Sequence, residues 1–249
     1  FGDKYRILID KGIDGFWNDM NEPAIFYSEK HLKEVFEKME DYKTMNLDVN
    51  TFFEMTGMIG SICNNPEDYA SFYHNYRGKR YRHDQVHNLF GYYMTRSASE
   101  AFERYVPEKR ILLFSRASYI GMHRFGGIWQ GDNASWWSHL KMNVKMMPSL
   151  NMCGFLYTGA DVGGFGADAT EDLVLRWLEF AVFTPLLRNH SAKGTRRQEV
   201  YRFSHVEKFA DVIGVRYQIL PYIYSEYMKA ALRNTMMFNP LSFLYGEDA

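Results

Sequence analysis

The feature that most constrains the fold is a repeated unit. Short apolar runs near 12–18, 111–114, 126–130, 155–158 and 183–187 alternate with segments of helical periodicity. Each run exits into an Asp, Arg or His, with glycine close by at Asp132 and Asp161. Strands that alternate with helices build βαβ units and a parallel sheet. A doubly wound sheet concentrates its polar residues at one crevice, whereas a (β/α)8 barrel spreads them over the ends of many strands. The distribution here favours the barrel. A full barrel needs eight strands, so five describe a partial TIM barrel with roughly the first three strands missing.

The chain has 249 residues, 46% hydrophobic and 24% charged, which is enough apolar material for one large core. Its 29 basic and 30 acidic side chains leave a formal charge of -1, so there is no basic field to draw nucleic acid or anionic lipid. No run of 18 apolar residues suggests a membrane span. The cysteines, Cys63 and Cys153, lack metal-type spacing, and no cofactor or metal is expected. The chain begins at Phe1 within a helical pattern formed by Tyr5, Leu8 and Ile9 and closed by Gly12. The expectation is an internal fragment. Residues 1–240 would be the C-terminal part of a barrel, roughly strands 4 to 8, with an insertion at about 28–66; residues 241–249 would start a following β domain. Compartment and oligomeric state are not written in the sequence, cytoplasm being the default.

The charged run 29–41 reads as a solvated helix or surface loop, and 46–65 shows no steady period. Val86, Leu89, Phe90, Tyr93, Met94, Ala98, Ala101 and Phe102 make a helical stripe ended by Pro107. Trp136, Leu140 and Val144 predict a second helix face, closed by Pro148. Thr170 is a candidate N-cap for a third helix with Leu173, Val174, Trp177, Leu178 and Ala181 inside. A long helical segment from His205 is expected to kink or break at Pro221, and 240–245 reads as the start of a strand.

Asp19 ends the first strand, within Trp17-Asn18-Asp19-Met20-Asn21-Glu22-Pro23, and Asp132 ends the third. Taken alone, Asp19 and Glu22 read equally well as turn and cap acids. In a parallel barrel, however, Asp19 and Asp132 project at one mouth. Two carboxylates facing one substrate suit glycoside hydrolysis. For Asp132 the competing reading is a Gly-Asp-Asn surface turn, which the neighbouring Trp129, Trp136 and Trp137 disfavour. Arg116 and His190, each just after a strand, suit hydroxyl recognition. His83 and His87 share a helix face, but without the Glu of a zinc-protease motif a capping, solvent-facing role is favoured over metal. The glycines of 159–166 lack phosphate-loop spacing.

These segments also carry a resemblance. Trp17 to Pro23 resembles the nucleophile signature of glycoside hydrolase family 31, the α-glucosidase family. Trp129-Gln130-Gly131-Asp132-Asn133, preceded by Ser115-Arg116-Ala117 and Gly121-Met122-His123-Arg124, resembles its acid/base segment. Gly159-Ala160-Asp161-Val162-Gly163-Gly164-Phe165 and Arg188-Asn189-His190 resemble two later strand exits. The resemblance implies a retaining exo-α-glycosidase, most often an α-glucosidase, acting on an oligosaccharide or α-glucoside, with Asp19 as nucleophile and Asp132 as acid/base. It implies that Arg116 and His190 hydrogen-bond the sugar. Trp17, Met20, Trp129 and Phe165 would wall its pocket, and Asp161 would order the mouth by hydrogen bonding. Another sugar-binding Asp and a pocket Trp of the family belong to earlier strands. Three alternatives stand beside this reading: an α-xylosidase or α-galactosidase of the same family, a metal-dependent hydrolase using His83 and His87, and a non-catalytic carbohydrate-binding fragment.

Overall fold

The computed structural model describes residues 1–24, 26–63 and 65–247. A 3-10 turn leads into α1 (Arg6–Ile9), and Gly12, at φ 85°, turns the chain into β1 (Gly15–Asn18). The segment between β1 and the helices after residue 82 follows, with α2 (Glu29–Asp41), α3 (Val49–Gly60) and α4 (Pro66–Ser71). It continues past residue 66 into a hairpin of β2 (Tyr73–Tyr76) and β3 (Lys79–Arg82). The short α5 (His83–Val86) then passes through a 3-10 turn into α6 (Phe90–Tyr105). Next come β4 (Leu112–Ser115), β5 (Gly127–Trp129), α7 (Trp137–Met152), β6 (Thr158–Gly159) and β7 (Asp161–Val162). The chain closes with α8 (Glu171–Ala181), β8 (Arg188–Asn189), α9 (Val206–Arg233) and α10 (Leu241–Leu244).

The sheet β1-β4-β5-β6 is parallel throughout, and β7 pairs in parallel with β8. Only Ala160 separates β6 from β7. One strand track therefore pairs with β5 through Thr158 and Gly159, then with β8 through Asp161 and Val162. Such staggered hand-over is how a tilted, curving sheet changes neighbours. Side chains alternate across it. Phe16 and Leu113 face outward, packing with Ile9 and with Ala98 and Phe102 of α6. Trp17, Phe114, Trp129 and Leu186 gather with Tyr157 in a separate cluster. The Thr170 side chain caps α8 by accepting from Leu173 N at 3.3 Å, and the predicted stripe of α8 packs on Ala160, Val162 and Phe209. Among the described residues no helix is long and apolar enough to cross a membrane.

Several expectations are corrected. The buried face of α7 is Asn143, Met147 and Asn151, while Trp136 and Val144 are exposed. Hydrogen bonds accompany the burial of this polar face: Asn143 Nδ2 donates to Gln130 Oε1 at 2.7 Å, and Asn151 Nδ2 donates to Phe155 O at 2.9 Å. Pro148 and Pro221 lie inside helices without ending them; buried Met147 and Asn151 flank the first, and buried Ile223 follows the second. Residues 183–187 are not a strand. Thr184 Oγ1 donates to Ala181 O, and Arg216 takes the carbonyls of Val182, Thr184 and Pro185; Leu186 N reaches Thr158 O, and the strand itself starts at Arg188. Residues 49–60 are helical because Asp48 and Thr51 form a capping box. Residues 241–244 form a helical turn, not a strand, with Tyr245 N donating to Leu241 O at 2.8 Å; Asp248 and Ala249 lie outside the described residues.

Candidate active site

The ends of β1, β4 and β5 bring Asp19, Arg116 and Asp132 together. Pairing of β1 with β4 extends one step, Arg116 N donating to Asn18 O at 3.0 Å, which lifts the guanidinium to the sheet's edge. Its Nη1 lies 3.4 Å from Asp19 Oδ1 and 3.2 Å from Asp132 Oδ2. The separation of those two oxygens is thus capped by the sum of these distances. A cap on that one oxygen pair is compatible with the ~5–5.5 Å carboxyl separation of retaining glycosidases. Nε and Nη2 of the same guanidinium donate to Glu22 Oε1 and Oε2 at 2.8 and 2.9 Å. Burial would raise the Glu22 carboxyl, but hydrogen bonds from Arg116 and its own backbone, with the charges of Arg116 and His87, outweigh it and hold it below the ordinary value. The Glu22 hydrogen bonds in turn keep Arg116 firmly cationic. Three carboxylates around one guanidinium leave an anionic pocket, suited to positive charge developing on a sugar ring.

Local backbone makes the delivery possible. Met20 at φ 55° and Asp132 at φ 57° are left-handed non-glycine residues. Such strain at two strand exits persists only where surrounding contacts over-determine it. Asn21 supplies them for the first: fully buried, it donates from Nδ2 to Ser115 Oγ at 2.8 Å and accepts from Ala117 N at 3.0 Å. The tightness extends to α6, where a Cβ on Gly91 would meet Ala117 Cβ at 2.6 Å.

Beneath the carboxylates lies an aromatic floor. Trp17 meets Trp129 edge-on at 5.0 Å and stacks on Phe114 at 6.1 Å. The Arg188 guanidinium sits 4.4 Å over Trp17 and 5.3 Å over Trp129. Asp161 Oδ1 accepts from Trp129 Nε1 at 2.9 Å and from Arg188 Nη2 at 2.8 Å. Burial pushes the Asp161 carboxyl up, against the pull of Arg188, Trp129 and His190. The His190 ring stacks on Phe165 at 5.1 Å and meets Trp17 edge-on at 5.8 Å. A mostly apolar cavity of about 790 Å³ opens beside Asp19 and Met20, walled by Tyr76, Tyr81, Phe90 and Tyr93.

The structure gathers Asp19, Arg116 and Asp132 at the rim, and Trp17, Trp129, Phe165 and His190 at the floor and side. Met20 is 46% exposed at the mouth. Asp161 has no exposed surface, so it reaches the site only by holding Trp129 and Arg188. Trp136 and Trp137 are more than half exposed and do not flank Asp132 as packing partners. His83 is fully buried rather than solvent-facing, and it bonds to His74 and His87. Among the described residues no group of three or more His, Cys, Asp or Glu is arranged to hold a metal ion. Sequence reasoning missed Asn21, Glu22 and Arg188 as parts of the site. Their signal was adjacency to Asp19 and His190, but the partners that give them roles are distant in sequence.

Comparisons with known proteins converge. The profile of the glycosyl hydrolases family 31 TIM-barrel domain matches residues 1–226. The chain is 32% identical over 252 residues to alpha-glucosidase 2 of Bacillus thermoamyloliquefaciens, covering 100% of this chain and 27% of that protein. It is 29% identical over 248 residues to the alpha-glucosidase of Saccharolobus solfataricus, covering 96% and 33%. Among solved structures it is similar to the family 31 dextranase of Flavobacterium johnsoniae in complex with glucose. That match has a TM-score of 0.74 and 25% identity, covering 99% of this chain and 27% of the other. The family 31 alpha-glucosidase from Bacteroides thetaiotaomicron gives a TM-score of 0.62 at 29% identity, covering 87% and 29%. The chain spans about a quarter to a third of the length of these relatives.

Proposed function

The chain belongs to glycoside hydrolase family 31, and from that premise we propose that the protein containing it is a retaining, exo-acting α-glucosidase. It would remove a terminal α-linked glucose from the non-reducing end of an oligosaccharide. Residues 1–240 supply roughly strands 4 to 8 of its barrel, the inserted segment standing over the mouth. The observation that carries the reading is the shared Arg116 Nη1, within 3.4 Å of Asp19 and 3.2 Å of Asp132. The names of the relatives and the glucose held by the Flavobacterium dextranase support glucose as the sugar.

Asp19, ionised, attacks the anomeric carbon while Asp132, protonated, gives its proton to the leaving oxygen; the glycosidic C–O bond breaks as the Asp19 ester forms. Water then attacks that ester, its proton passing to the carboxylate of Asp132, and the sugar leaves with the configuration it brought. Arg116 counters charge between the two carboxylates and offers donors to sugar hydroxyls, as does His190. Trp17 and Trp129 present faces on which the C–H surface of a sugar packs.

A panel of aryl α-glucoside, α-xyloside and α-galactoside, given to the full-length parent protein with the first-formed anomer followed by NMR, tests this. Preferred cleavage of the glucoside with initial release of α-glucose is expected. No hydrolysis across the panel, or initial release of β-glucose, would overturn it.

A further inference from the structure

Outside the carboxylate site the most unusual polar cluster is a line of three imidazoles. His74 on β2, His83 at the start of α5 and His87 in the following turn are joined in series. His74 Nε2 lies 2.8 Å from His83 Nδ1, and His83 Nε2 lies 2.9 Å from His87 Nδ1. The middle ring is fully buried with both nitrogens engaged. Its faces are covered: Phe26 stacks on it at 4.3 Å and Tyr69 lies 5.1 Å away. Phe26 ends the segment that begins with Asp19 and Glu22, and it also packs on Phe72 at 4.4 Å. Ser28, just beyond, is tied to Asp68 of α4 through its backbone N–H at 3.0 Å. Phe26 and Ser28, which follow the Asp19–Glu22 stretch in sequence, are therefore anchored on α4, Phe72 and the central imidazole.

Proton counting gives this line a property that an ordinary packed contact lacks. Each of its two bonds needs one N–H facing one bare nitrogen. Three neutral rings meet that condition, and so do three rings carrying one extra proton, whichever ring holds it. With a second extra proton only one bare nitrogen remains among the three rings. One bond then sets N–H against N–H and must break. Burial, with the neighbouring His87 and His74, holds His83 down to about 4, against Asp84.

We infer that the His74–His83–His87 line is a pH-sensitive positioning clamp for the segment carrying Asp19 and Glu22, closed while it holds at most one extra proton and released by the second. The charged and titratable groups around it are few. Asp84, on the same helix, is paired with Arg82. Glu22 feels the charge of His87 across the site. Tyr69 stacks on His87 at 4.6 Å, and Tyr81 stands opposite His74 in the hairpin register. Asp68 is engaged by His31 and Ser28. His83 and His87 lie outside the lining of the cavity beside Asp19, and His74 is at its edge; the line acts through the Phe26 ring on His83. The regulatory part of the inference rests on the glycosidase reading, while the clamp itself does not.

The test uses the full-length parent and the variants His74→Gln and His87→Gln, since an amide can turn to donate or accept and removes the N–H conflict. In the unaltered protein, amide exchange of residues 19–24, corrected for its intrinsic pH dependence, should quicken as pH falls through the acid limb of kcat/KM. Each Gln variant should keep activity near neutral pH, flatten the exchange change and move the acid limb down by about one pH unit. An acid limb and an exchange profile unchanged in both variants would show a merely structural cluster and overturn the inference. If no α-glycoside is hydrolysed, the glycosidase reading fails while the exchange measurement, which needs no substrate, still decides the clamp.

Discussion

Glu22 grips Arg116 at two points, accepting from Nε at 2.8 Å and from Nη2 at 2.9 Å, which leaves Nη1 to face Asp19 and Asp132. A two-point bond fixes the plane of a guanidinium as well as its position. The residue three places after the proposed nucleophile thus orients the cation between both carboxylates.

Glu22→Gln keeps the shape and loses the charge and half of the grip. A small displacement of Arg116 should lower kcat/KM on an aryl α-glucoside roughly 100-fold, mostly through kcat, with little change in thermal midpoint. Steady-state kinetics of the full-length variant within about twofold of the parent would mean that Arg116 holds its place without Glu22.

Gly131 is a packing requirement of the floor. A Cβ there would meet the Trp129 indole at 1.6 Å, so Gly131→Ala must move the ring and break its 2.9 Å bond to Asp161. Activity should fall far more than stability, with a shift in tryptophan fluorescence. Unchanged kinetics would remove Trp129 from the site.

Two tryptophans offer a stability contrast. Trp177 has no exposed surface, while Trp136 is 57% exposed. Trp177→Ala should cost about 3–5 kcal/mol by denaturant unfolding, and Trp136→Ala about 0.5 kcal/mol or less. Equal costs would contradict the placement of α8 against Val162 and Phe209.

His83 gives stability a pH dependence of known sign. Its folded value is lowered to about 4 from an ordinary 6.5, so the unfolded chain takes up this proton first as pH falls. The contribution is fully present above about pH 6.5, is lost on descending towards 4, and stays flat below. Denaturant midpoints of the parent and of His83→Gln, measured from pH 7 to pH 4, should converge on acidification. A constant gap would mean that His83 titrates normally.

The strand exits were legible because apolar runs ending in Asp19, Arg116, Asp132 and His190 leave a local pattern. The α8 stripe was legible because its buried residues are all apolar. The face of α7 was not, because Asn143 and Asn151 are buried and bonded to Gln130 and Phe155, and hydrophobic periodicity misses polar interiors. The hairpin of Tyr73–Tyr76 and Lys79–Arg82 is mostly exposed, so its sequence has no apolar alternation to read. The strand expected at 183–187 lies at 188–189, and Arg216, in another helix, takes the carbonyls before it. Glu22 was visible as a residue, but its role rests on Arg116, 94 positions away.

The central claim, that Asp19 is the nucleophile and Asp132 the proton donor, is tested most directly by leaving-group dependence in the full-length protein. Asp19→Ala should abolish turnover of every substrate. Asp132→Ala should lose most activity on an α-glucoside with a poor leaving group, while still forming the glycosyl-enzyme from an activated aryl α-glucoside. Equal loss on both substrate types in Asp132→Ala, or persistent turnover in Asp19→Ala, would contradict the assignment.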